Sequence, residues 1–80
     1  MMHNIENHRR VYEIVSTNSG NEYSLIIIKE KTKDVYRIVN LTKGHICPCE
    51  FDTYEEAEDD IYRYQSEGKN QILGMHSIVL

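Results

Sequence analysis

The sequence predicts a two-layer α+β domain: an antiparallel β-meander of three to four strands, followed by one amphipathic α-helix and a C-terminal strand. Three observations carry this. Residues 10–41 hold three short runs rich in β-branched and aromatic side chains, separated by clusters of turn-forming residues. Residues 53–68 open on a helix-capping pattern and continue with helical spacing. The last ten residues become apolar and β-branched again.

Arg10 to Ser16 reads as the first strand, and Thr17-Asn18-Ser19-Gly20-Asn21 as a turn. Glu22 to Lys29 reads as the second. Its alternating sets, Tyr23/Leu25/Ile27 and Ser24/Ile26/Ile28, are both largely apolar, the mark of a central strand covered on both sides. Val35 to Leu41 is the third, with Arg37 interrupting the face made by Val35, Val39 and Leu41. His45 to Phe51 reads as a fourth strand. Pro48 cannot donate to a ladder, which confines this segment to an edge or an irregular connection.

Thr53-Tyr54-Glu55-Glu56 is a capping box, and Glu55, Glu56, Glu58, Asp59 and Asp60 crowd the first two turns, where the helix dipole favours negative charge. Ala57, Ile61 and Tyr64 form one predicted buried stripe, and Gly68 is the predicted stop. Gly74 argues against a second helix, so Ile72 to Val79 is expected to be the last strand.

Eighty residues are read as one domain, 1–80, with residues 1–8 as a polar tail. The net charge of −4 is uneven: residues 1–49 sum to +2 and residues 50–80 to −6. An acidic second part disfavours phosphate-backbone binding, so nucleic acid is not an expected partner. No run approaches the ~20 apolar residues that span a bilayer, and Met1 to His8 lacks the apolar core of a signal peptide. A cytoplasmic protein with no membrane association is expected.

The sharpest local motif is His45-Ile46-Cys47-Pro48-Cys49. Histidine and two cysteines at alternating positions invite a zinc reading. On an extended strand, however, residues two apart lie roughly 6.5 Å apart, wide for adjacent sulfurs on one zinc and for a disulfide. No second cysteine pair supplies the remaining ligands. Two small apolar side chains on an edge strand is the simpler reading; metal binding or thiol regulation through His45, Cys47 and Cys49 is the alternative.

Tyr12, Tyr23 and Tyr36 fall on successive strands, where they can stack across the sheet. Such tyrosines could also hold single-stranded bases, but the basic groove that accompanies this use is missing. The strand–helix order is similar to that of several β-meander-plus-helix modules, single-stranded-DNA-binding coactivators among them, though no motif accompanies the likeness.

No catalytic constellation assembles, and the expected function is non-enzymatic: a protein-interaction or regulatory module, homodimeric, without a required cofactor. Two features motivate it. A single helix covers only one face of a sheet whose central strand is apolar on both. An acidic helix face, with Glu55, Glu58, Asp59 and Tyr62 as contact residues, suits a basic protein partner.

Overall fold

A computed structural model describes residues 8–79, with side chains from Arg10 to Ile78. The expected tail is described only at His8, which begins the first strand; the rest of it lies outside the described residues. The architecture is α+β. The elements are β1 (His8–Ser16), β2 (Glu22–Glu30), β3 (Val35–Asn40), β4 (His45–Ile46), α1 (Tyr54–Ser66) and β5 (Asn70–Val79).

All neighbouring strands are antiparallel, in the spatial order β4-β3-β2-β1-β5. β2 sits at the centre, as its two apolar faces require. Gly20 and Gly44 supply the positive φ of two hairpin turns, and Asp34 takes φ 58° in the third. The helix carries the chain from the β4 edge, over one face of the sheet, to the opposite edge, where β5 pairs with β1. One residue of β5, Leu73, has no partner in β1, because Glu13 faces Gly74 while Ile14 faces Ile72. This is a β-bulge.

The core lies between α1 and the inner sheet face. Tyr12, Ile14, Ile27 and Ile38 point up from the strands to meet Ala57 and Ile61. The helix begins at Thr53, whose Oγ1 accepts from the Glu56 N–H at 3.1 Å. Glu56 returns one residue earlier than a standard capping box, taking the Asp52 N–H at 3.0 Å. It ends in a Schellman motif: Lys69 N–H donates to Tyr64 O at 2.9 Å and Gly68 N–H to Gln65 O at 3.0 Å, with Gly68 at φ 77°.

Three expectations need correction. The fourth strand is only His45–Ile46. Beyond it the Cys47 N–H still reaches the sheet, at Ile38 O; the chain then leaves the ladder at Pro48, whose nitrogen follows on the free-edge side, and pairing resumes as one isolated bridge between Tyr36 and Phe51. Tyr64 is not buried with Ala57 and Ile61 but 38% exposed. The C-terminal half of the helix leaves a cleft over the sheet, and the Tyr64 ring lies against the cations of Arg63 and Lys69. The strand tyrosines do not stack on one another. Tyr12 and Tyr36 instead meet the edges of Tyr62 and Tyr54 on the helix, at centroid separations of 6.3 and 6.1 Å.

Candidate functional site

Three features of the surface could carry function: the two edges of the sheet, the acidic helix, and the cysteine loop beside the cleft.

The two sheet edges are built differently. The β4 edge is two residues long, is followed by Pro48, and is closed by charge. Arg37 donates through Nε to Glu30 at 2.5 Å, through Nη1 to the Pro48 carbonyl at 3.1 Å and through Nη2 to Glu50 at 2.8 Å. Lys33 joins the same Glu50 carboxylate at 3.3 Å. The Arg37 guanidinium holds the Glu30 carboxyl below the usual carboxylate range. Short length, proline and charge are the devices by which sheets prevent edge-to-edge association.

The β5 edge has almost none of these. It runs ten residues, Asn70-Gln71-Ile72-Leu73-Gly74-Met75-His76-Ser77-Ile78-Val79, without proline, lysine, arginine or carboxylate. Its Leu73 is 52% exposed and its Met75 47%. Gln65 reaches over from the helix to accept the Ile72 N–H at 2.7 Å, so the Asn70 end is capped and the stretch beyond Leu73 is open. His76 turns to the outer face, where its Nε2 lies 3.1 Å from Glu13, the acceptor of the Ser24 hydroxyl.

The outer face of the sheet carries no helix. Val11 and Ile26 at its centre are nonetheless buried by their neighbours, while Ile28, Val35 and Val39 are half-buried and Leu41 and Ile46 exposed. Apolar surface is therefore concentrated toward the rim.

The predicted helix contacts divide. Glu55, Asp59 and Tyr62 are exposed. Glu58 points inward instead: it accepts from the Tyr12 hydroxyl and from Arg10 Nη1 at 2.9 Å. Tyr12 is fully buried, and burial, followed by the bond to Glu58, pushes its phenol well above the usual range. A buried tyrosine needs such an acceptor. Sequence reasoning missed this role because the helix dipole already explains an acidic residue there, and Tyr12 lies 46 positions away. Of the three strand tyrosines only Tyr12 is fully buried beneath the helix; Tyr23 and Tyr36 are half-buried.

The cysteines depart furthest from expectation. Both are free thiols, yet their sulfurs lie 2.6 Å apart, because the chain bulges between Cys47, which opposes Ile38, and Phe51, which opposes Tyr36, rather than running on extended. The Cys47 N–H is still tied to Ile38 O at 2.9 Å, and Phe51 is fixed to Tyr36 by two hydrogen bonds of 2.8 and 3.0 Å. Between these anchors Arg37 holds the Pro48 carbonyl. Cys47 and His45 line the cleft between sheet and helix, together with Tyr23, Asp60 and Tyr64; its volume is about 270 Å³. Among the described residues no group of three or more histidine, cysteine or carboxylate side chains is placed to hold an ion, and no hydrogen bond links His45 to either sulfur.

No helix among the described residues is long and apolar enough to cross a membrane. Comparison with known protein families, curated proteins and solved structures finds no match to the chain.

Proposed function

We propose that this protein is a non-enzymatic interaction module that works as a homodimer, joined through β5 of each copy. The observation that carries the reading is the contrast between the two sheet edges: one is closed by proline and an ion-pair cluster, and the other is long, uncharged and open beyond Leu73. An unprotected edge strand is a template for another strand.

A second copy suits this edge better than an unrelated peptide. Two β5 strands related by a two-fold axis run antiparallel, as every other pair in the sheet does. A strand without formal charge sets no like charges against each other when it pairs with itself. The union would extend each five-stranded sheet into one continuous sheet and bring the exposed Leu73 and Met75 into the contact.

Docking on a protein partner would then fall to the helices, which the β5 contact leaves outward. Glu55 and Asp59 take no ion-pair partner among the described residues, and Tyr62 offers an amphipathic ring beside them. A basic partner surface is the matching chemistry. We take the location as cytoplasmic, on the expectation from the sequence alone.

The test is sedimentation equilibrium of the wild-type chain and of a Met75→Lys/Ser77→Lys variant, with circular dichroism to verify that the variant is folded. The proposal expects a dimer at micromolar concentration and a folded monomer in the variant. A wild-type chain that stays monomeric to submillimolar concentration overturns it, as does a variant that still dimerises.

A further inference from the structure

We propose that Cys47 and Cys49 are a dithiol–disulfide redox pair, oxidised by low-molecular-weight disulfides and reduced again by the thiol pool. The inference rests on the cysteine loop and is independent of what pairs with β5.

Four observations carry it. Both thiols are free and their sulfurs stand 2.6 Å apart, so bonding needs little movement of either side chain. The Cys49 N–H is directed at Cys47 Sγ at 3.4 Å, a backbone donor that favours negative charge on that sulfur. The turn is fixed from both ends by the Cys47–Ile38 and Phe51–Tyr36 backbone bonds and in the middle by Arg37, so the pair is held close without a covalent link. Finally, the two sulfurs are unequal in access: Cys49 is exposed, while Cys47 is half-buried against the core and lines the cleft.

That inequality sets the order of events. The Cys49 thiolate attacks one sulfur of a small disulfide, RS–SR, forming a mixed disulfide and releasing RS⁻. The Cys47 thiolate then attacks the Cys49 sulfur, forming the Cys47–Cys49 bond and releasing the second RS⁻. Two protein thiols become one disulfide, two electrons pass to RS–SR, and two RSH result after the departing thiolates take up the two protons. Reversal needs an external thiol to attack the exposed Cys49 sulfur. A disulfide closed over a single intervening residue is strained, and strained, exposed disulfides have the higher potentials of labile, regulatory bonds rather than structural ones. Contact with Cys47, the partial desolvation that contact brings, and the charge of Asp60 hold the Cys49 thiol above its usual range, so the attacking thiolate is scarce near neutrality and exchange should accelerate as pH rises.

The experiment equilibrates the full chain in oxidised and reduced glutathione at graded ratios, quenches with acid, alkylates and measures intact mass, then maps the peptides. The expected wild-type product is a monomer two hydrogens lighter, unalkylated and cross-linked between Cys47 and Cys49, that returns to the doubly alkylated form in dithiothreitol. Cys47→Ala should stop at the mixed disulfide on Cys49. The proposal fails if wild-type Cys49 carries glutathione without the internal bond, if the cross-link joins two chains, or if both thiols remain alkylatable under oxidising conditions that modify Cys49 in Cys47→Ala.

Discussion

The pairing of Tyr12 with Glu58 makes a prediction whose sign depends on context. The Tyr12 hydroxyl is fully buried and donates to a carboxylate that is 20% exposed and also held by Arg10. Replacing Tyr12 with Phe removes the donor and leaves Glu58 reachable by water and still paired. A hydrogen bond to a charged group contributes about 1.5–3 kcal/mol, and the exposure of Glu58 puts this one near the lower limit. Tyr12→Phe should therefore cost about 1–2 kcal/mol, or roughly 4–16 °C in a domain of this size.

Glu58→Leu acts differently. It keeps apolar bulk over the site, excludes water and strands the Tyr12 hydroxyl without an acceptor. The desolvation penalty of an orphaned buried group, about 1–3 kcal/mol, adds to the lost bond. In that background Tyr12→Phe removes the orphan and should stabilise the protein by about 1–2 kcal/mol. Urea denaturation of the wild type, both single variants and the double variant, compared at equal m-value, completes the cycle. The reasoning is refuted if Tyr12→Phe destabilises the Glu58→Leu protein as it does the wild type.

Two further predictions concern the helix end and pH. Gly68→Ala forces a side chain into φ 77° although no atom crowds the new Cβ, so the cost of about 1 kcal/mol should be purely conformational, and Gly68→Asn should recover part of it in the same urea assay. The Glu13, Glu30 and Glu67 carboxyls are held below their usual range, first by hydrogen bonds from Ser24, Arg37 and Lys69 respectively. Their contribution is present above the unfolded value of about 4.3 and is lost as pH falls through the folded values. Tyr12 has the opposite sense: its raised phenol contributes below the unfolded value of about 10, and that stability declines at higher pH. Melting temperature should therefore fall on the acid side below about pH 4 and on the alkaline side above about pH 10, with the alkaline limb reduced in Tyr12→Phe.

What could be read from the sequence was what nearby residues determine. The two apolar faces of β2 place it centrally because each alternate side chain must find cover. Thr53, Glu56 and Gly68 mark the helix because their partners lie within one turn. The failures share the opposite property. Glu58 finds its partner on β1, and its acidity already had a local explanation. Pro48 marks an irregular segment but not its path; Arg37, more than ten residues upstream, holds the Pro48 carbonyl of the bulge within which the two sulfurs meet. Tyr64 continues a helical stripe, but the sheet beneath does not rise to meet it, so the cleft remains. The contrast between the sheet edges needed the strand order, because β5 shows its open side only once β1 is known to occupy the other.

The proposal of a β5-joined dimer is tested most directly by amide hydrogen exchange on β5 as a function of protein concentration. Residues 74–79 form the stretch that Gln65 does not cap. Those of their amides that point away from β1 should become progressively protected as concentration rises, while amides of the closed β3–β4 edge remain unchanged. If the outward amides of β5 exchange at the same rate at every concentration, β5 is not the joint and the proposed dimer is wrong.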